Sequence, residues 1–317
     1  MSDVSRQSTV PPELAGERVD KAAAVLFDEF SRAALTGWIQ AGALTVDGSQ
    51  VKPRIKVLGG ELLVLKARIE PREDWQAAES VPFDVVYEDD DLLVINKPAG
   101  VVVHPGAGNP SGTLVNGLLA HRRALELMPR AGIVHRLDKD TSGLLLVAAD
   151  LTAHKRLVDA LQARKITRAY LALVEGVMVG GRDIDRPIGR DPVRRTLQRV
   201  RDDGRPALTR VRVADRYRSH TLIRAELETG RTHQIRVHMS SIGHPLVGDS
   251  RYGARGRIPP GADTRLIDVI RGFDRQALHA ERLAFDHPRS GEAVSFQAPI
   301  PADMAALILA LKADTNG

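Results

Sequence analysis

The chain has 317 residues, 43% hydrophobic and 27% charged, with no cysteine and a net charge of +5, a balance that excludes a disordered or fibrous polymer, a disulfide scaffold and thiolate chemistry. Its longest apolar runs, such as 144–149 and 305–311, fall far short of the roughly 20 residues a membrane-spanning helix needs, and the first dozen residues lack the apolar core of a secretory leader, so a cytoplasmic protein is expected. Nine lysines and thirty-six arginines carry the positive charge, which favours a polyanionic partner without identifying it.

Residues 1–12 read as a disordered tail. Residues 13–69 predict a small α+β unit. Ala22, Val25, Leu26 and Phe30 recur at helical spacing, and Ser31 stands where it would cap a second helix carrying Leu35, Trp38 and Ile39, ended by Gly42. Leu44-Thr45-Val46 alternates like a strand, Asp47-Gly48 is a hairpin turn before Val51, and Leu62 to Leu65 is the return strand. Arg18, Arg32, Lys52, Arg54 and Lys56 make the unit basic. This order of elements, with Arg32, Gly42, the Val46-Asp47-Gly48 turn and Lys52-Pro53, resembles the S4 RNA-binding domain. The resemblance implies RNA contacts from Arg18, Arg32 and Lys52.

Residues 70–82, charged and aperiodic, read as a linker. From 83 to 317 the pattern predicts an α+β domain with a mixed, mostly antiparallel sheet and peripheral helices. Asp84 to Tyr87 and Leu92 to Ile95 flank the acidic turn 88–91, which reads as a hairpin rather than a metal site. Further strands are expected at Leu144–Val147, Tyr170–Val174, Val211–Val213 and Leu222–Leu227. Helices are expected at Leu151–Arg164, His233–Ile242 and Asp303–Lys312. Neither an internal repeat nor a regular βαβα alternation is present.

Chemistry concentrates in a few stretches. In 130–148, His135-Arg-Leu-Asp-Lys-Asp-Thr-Ser-Gly143 crowds polar groups where a loop feeds a strand, with Ser142-Gly143 as the break. Asp138, flanked by Arg136 and Lys139, is a carboxylate suited to nucleophilic or base chemistry, or one member of a structural ion-pair network. The stretch 227–238 follows a strand and opens a helix: Gly230 allows a tight turn, and Arg231, Thr232 and His233 lie at a helix N-terminus that favours an anion. Gln234 and His238 share one helical face, Arg231 and Ile235 another, which predicts one polar and one buried side. His233, His238 and His244 lack the carboxylate spacing of a zinc hydrolase. Asn96-Lys-Pro leads into the loop His104-Pro-Gly-Ala-Gly-Asn-Pro110, which has no nucleotide-binding fingerprint. The period of two in 165–174 sets Arg168 and Tyr170 on one face and Leu171 and Leu173 on the other; a ring beside a cation suits base stacking, and a core tyrosine is the other reading. Between Arg182 and Arg212, ten arginines face five aspartates, either a phosphate-binding patch, with Arg190, Arg194 and Arg195 as candidates, or a solvated loop.

Together Asn96-Lys-Pro, His104 to Pro110, His135 to Gly143, Arg168-Ala-Tyr170, Gly230 to His238 and His244-Pro-Leu-Val-Gly-Asp249 resemble the RluA family of pseudouridine synthases, over about residues 83–300. Gly204-Arg-Pro-Ala207 with Thr209, and Leu278-His-Ala280, fit the same pattern. The resemblance implies a pseudouridine synthase fold, Asp138 as the catalytic aspartate, Tyr170 stacked on a flipped uridine, Arg231 paired with Asp138, and RNA contacts from Arg136, His135 and Arg168. It implies no cofactor or metal. An S4-like module ahead of this domain points to members acting on 23S ribosomal RNA, with the helix 69 stem-loop as expected target and a monomer as expected state. A synthase acting on tRNA, a binding-only ribosome assembly factor and a metal-dependent nuclease are the competing readings.

Overall fold

The computed structural model describes every residue except 1, 29, 31, 70–77, 107–108, 254–255 and 317. Its N-terminal unit comprises β1 (Ser2–Thr9), α1 (Val19–Leu26), α2 (Arg32–Gln40), β2 (Leu44–Val46) and β3 (Leu62–Ile69). The three strands form an antiparallel sheet in the order β1-β3-β2. Val19, Ala22, Ala23, Leu35, Ile39, Leu44, Leu63 and Leu65 close one apolar core, and Phe30 meets Trp38 edge-on at 5.0 Å. Val25, expected inward, is exposed. The cap expected of Ser31 lies outside the described residues.

The expected tail at 1–12 is corrected. Ser2 to Thr9 pair residue for residue with Ile69 to Leu62. An edge strand is held by backbone hydrogen bonds along one side and needs few apolar side chains, so a polar segment in which Val4 alone packs on the core gives little pattern to read. The Asp47-Gly48 turn is present, with both residues at positive φ, but it is closed by Val46 and Ser49, and β2 pairs with β3 rather than with the segment at Val51.

The last part of the predicted linker packs on the following domain. Glu79 donates its N–H to Asn116 O and accepts the Gly112 N–H on its carboxylate. A Cβ on Gly117 would stand 2.9 Å from Val81 Cβ, so only glycine admits this approach.

The larger domain continues through β4 (Asp84–Glu88), β5 (Leu92–Lys97), α3 (Leu114–His121), β6 (Ser142–Ala148), α4 (Leu151–Gln162), β7 (Thr167–Glu175), β8 (Arg182–Asp185), β9 (Ile188–Arg190) and β10 (Gln198–Val200). It ends with β11 (Leu208–Arg216), β12 (His220–Leu227), α5 (Gln234–Ser241), α6 (Thr264–Gly272), β13 (Leu278–Asp286), β14 (Ala293–Gln297) and α7 (Ala302–Asn316). Among the described residues the main sheet has nine strands, in the order β4-β5-β6-β13-β7-β12-β11-β8 with β14 attached to β13. Each of its pairs is antiparallel except β6 with β13. The expected α+β class with a mostly antiparallel sheet therefore holds.

Both faces of the sheet are covered, as the alternation along β7 requires. Tyr170, Ala172 and Val174 enter the main core with β5, β6 and α3, whereas Leu171 and Leu173 join a second core with α6 and α7. Gly143, read as a break, lies inside β6. Its φ is +110°, and a Cβ there would stand 2.3 Å from Ala280 O, so glycine is what lets β13 approach in parallel. Asp150 caps α4 by accepting the N–H groups of Thr152 and Ala153.

Candidate active site

The loop carrying Asp138 is fastened from below. Lys97, fully buried at the end of β5, donates to the carbonyls of Pro98, Val101 and Lys139 at 2.7, 2.9 and 2.9 Å. Burial pushes its ammonium down to about 7, while three acceptors for three protons favour the charged form. Gly100 N–H also reaches Lys139 O, Arg275 reaches Asp140 O, and Thr141 N–H closes the turn on Asp138 O. These bonds hold a polar loop over the ends of β5 and β6.

The opposite wall is the entry to α5. Gln234 accepts from the Thr229 hydroxyl and the Arg231 N–H, and donates to Leu208 O and Thr209 Oγ1. One buried side chain thus folds 229–233 against β11. Gly230 lets this turn approach Arg168: a Cβ there would lie 2.9 Å from the end of the guanidinium, which would have to shift. The expected polar side of α5 is absent: Gln234 to Met239 are all buried. His238 spends both ring nitrogens on Thr209 and on Arg186 O. Satisfied polar groups, rather than solvent, accommodate that face.

Asp138 stands between these walls with its side chain 17% exposed. Its partner is Arg236: Nη1 donates to Asp138 Oδ2 at 2.9 Å, while Nε and Nη2 grip both oxygens of Asp249 at 2.7 and 2.9 Å. Asp249, nearly fully buried, also accepts the N–H groups of Arg251 and Tyr252. Burial opposes its charge, but Arg236 outweighs burial and lowers its pKa. One guanidinium therefore serves two carboxylates. The expected pairing of Arg231 with Asp138 is corrected. Arg231 donates Nε to Pro206 O at 3.0 Å and lines the cavity wall.

Tyr170 lies beside Asp138, and with Leu137, Ile235 and Leu278 it forms the apolar part of a slot whose other lining includes Thr141, Gln234 and Arg236. Burial raises the pKa of its phenol. A wider groove of about 650 Å³ continues from this slot, bordered by Arg130, Arg136, Arg164, Arg168 and Arg231. Arg136 is exposed there. Arg130 and Arg164, which the sequence reading did not single out, line the groove from left-handed backbone, φ 54° and 59°; nothing in their local pattern marks that conformation. Arg168 is buried and donates to Leu227 O, so it braces the groove floor. His135, expected to contact RNA, also lines the groove. Its Nε2 accepts the Leu146 N–H, and burial drives its pKa down to about 3, which leaves it neutral.

The remaining predicted contacts lie apart from the slot. Arg190, Arg194 and Arg195 are exposed in and after β9, on a hairpin tied to the site where Gln198 N–H donates to Tyr252 Oη. In the N-terminal unit Arg18 and Arg32 both bind the buried Asp20 carboxylate, whereas Lys52 is exposed. Among the described residues one metal-like cluster exists, Asp89, Asp91 and His287. Its atoms are committed: Arg289 takes Asp91, and Tyr87 and His287 take Asp89. Among the described residues no helix is long and apolar enough to cross a membrane.

The family model for RNA pseudouridylate synthase matches residues 91–241. Over 310 residues the chain is 55% identical to ribosomal large subunit pseudouridine synthase D of Vibrio parahaemolyticus, a match covering 98% of this chain and 95% of that one. It is 52% identical to the protein of that name from Pseudomonas aeruginosa over 315 residues, 99% of this chain and 98% of that one. Among solved structures, human RNA pseudouridylate synthase domain containing 1 matches with TM-score 0.54 and 26% identity, over 75% of this chain and 98% of that one. Human RNA pseudouridylate synthase domain containing 4 shares the fold, with TM-score 0.56 and 24% identity over 72% of this chain and 93% of that one.

Proposed function

The chain belongs to the RNA pseudouridylate synthase family, and from that membership we infer that it converts uridine to pseudouridine in large-subunit ribosomal RNA, with Asp138 as the reacting carboxylate. Full-length likeness to the synthase D proteins supports the substrate class. The observation that carries the assignment of Asp138 is its position: a carboxylate held by Arg236 in a small slot beside Tyr170, Leu137 and Ile235 that adjoins an arginine-lined groove.

In the reaction the N1–C1′ bond breaks, the uracil turns in place, and C5 bonds to C1′ and gives up its proton. Asp138 either attacks covalently or acts as a base. The target must leave its stack, at a cost of a few kcal/mol, and Tyr170 supplies a ring on which it stacks. Arg136, exposed at the mouth, binds the backbone or fills the gap left by the flipped base. The S4-like N-terminal unit adds affinity through Lys52 and the outward faces of Arg18 and Arg32, and the hairpin arginines 190, 194 and 195 extend the same phosphate track. The protein works as a cytoplasmic monomer on the helix 69 stem-loop; tRNA is the other target class.

Tritium release from C5-labelled uridine in ribosomal RNA, with and without chelator, tests the reaction. Release that survives chelator, and is lost in Asp138→Asn and Asp138→Ala without loss of RNA binding, is expected. Residual turnover within tenfold of wild type would sink the role of Asp138. Mapping pseudouridine after deletion of the gene identifies the target.

A further inference from the structure

His233 has no task in the scheme above. It is the residue before α5, held in left-handed backbone at φ 57°, a conformation uncommon outside glycine and characteristic of constrained sites. Its ring stands between Tyr252 and Asp138 and borders each of the three cavities around that carboxylate. Nδ1 is 2.6 Å from Tyr252 Oη, and Nε2 is 3.8 Å from Asp138 Oδ1.

Tyr252 settles the tautomer. Its oxygen already accepts the Gln198 N–H at 2.8 Å. No proton is stranded if the phenol then donates its own hydrogen to Nδ1, which leaves the neutral imidazole with its proton on Nε2. Burial, outweighing the pull of Asp138, lowers the pKa of His233 and keeps the ring neutral. Among the described residues the Nε2–H finds no acceptor, because 3.8 Å to Asp138 is too long for a hydrogen bond, yet the side chain is only 11% exposed. A fixed, unspent donor faces the space where the target ring would lie.

We propose that His233 is a catalytic residue whose Nε2–H donates to a carbonyl oxygen of the target uracil and stabilises the negative charge on the ring while it is detached from ribose. The inference rests on the Asp138 reading given above. Cleavage of N1–C1′ leaves the bonding pair on the uracil, where it spreads to O2 and O4; the donor stays protonated throughout and no bond to His233 forms or breaks. A preorganised donor at developing charge in a water-poor site contributes about 10²- to 10³-fold in rate. Tyr252 acts through His233 as a positioning residue.

The test uses a ribosomal RNA stem-loop transcribed with uridine, 2-thiouridine or 4-thiouridine, sulfur being a poor acceptor. His233→Gly removes the donor while suiting the left-handed backbone, and His233→Asn is a second variant tolerant of that backbone. Each is expected to fold and to bind RNA within about threefold of wild type, with a saturating single-turnover rate about 100-fold lower. One thio substitution should slow the wild type yet leave the glycine variant no slower than it already is, and Tyr252→Phe should shrink that thio effect. A folded glycine or asparagine variant within threefold of the wild-type rate overturns the proposal. So do thio effects of both analogues that multiply with the mutation, the pattern of a structural role. A wild type that makes no pseudouridine, or Asp138→Ala that still does, overturns the underlying reading before His233 is touched.

Discussion

Replacing Arg236 with lysine keeps the charge and removes the fork. The guanidinium makes three charge-assisted bonds, two to Asp249 and one to Asp138, and a single ammonium cannot span both carboxylates from the same stem. The side chain of Asp249 is fully buried while that of Asp138 is 17% exposed. The buried charge is the costlier to strand, so lysine should stay with Asp249 and abandon Asp138. Losing one hydrogen bond to a charged group costs about 1.5–3 kcal/mol, which becomes about a 10- to 100-fold slower saturating rate if the bond matters in the transition state. Single-turnover tritium release at saturating RNA measures the rate, and filter binding across a salt series measures affinity. Arg231→Ala should do the opposite, because Arg231 bonds a carbonyl at the cavity wall rather than the carboxylate. Its saturating rate should stay within about threefold, while the log-affinity versus log-salt slope shrinks by about one unit. An Arg236→Lys enzyme within threefold of wild type, or a tenfold slower Arg231→Ala at saturation, would refute the assignment.

Three further outcomes follow from the fold. Burial lowers the pKa of His135 to about 3, and of His104, His154 and His220 to about 4. The unfolded chain therefore binds more protons below about pH 6.5, and stability should fall as the pH drops from there toward 4, each such histidine contributing up to about 1.4 kcal/mol per pH unit. His135→Gln, whose oxygen can accept the Leu146 N–H, should flatten that dependence by about one proton in urea titrations; an unchanged slope would count against a buried neutral His135. Gly143→Ala forces a Cβ to 2.3 Å from Ala280 O at φ +110°, and should destabilise the protein by about 3 kcal/mol or more; a melting temperature within 2 °C of wild type, where about 2–4 °C per kcal/mol applies, would contradict the β6–β13 contact. Removing residues 2–9 strips one edge of the three-stranded sheet, so RNA affinity should fall while the saturating rate is kept. Unaltered affinity would mean that this sheet does not support RNA binding.

What the sequence disclosed follows from where each signal is written. Strands β5, β6 and β7 and helix α4 carry dense apolar periodicity or a cap in consecutive residues, and Asp138 sits in a polar cluster that a turn alone does not need. β1 carries no such signal, because its stabilisation is a row of backbone bonds to a segment some sixty residues away. The exchange of Arg231 for Arg236 has the same origin at smaller scale. Both are arginines of one motif; the sequence places the first at a helix start, and the family resemblance implied it as the partner of Asp138. His233, however, takes left-handed backbone, which turns the preceding residues away from the helix axis direction, and Gln234 pins them to β11. The chain at Arg231 is thereby delivered to Pro206, and the first arginine inside the helix meets the carboxylate. The fact that decided the pairing was a positive φ at a non-glycine residue, which side-chain pattern does not encode.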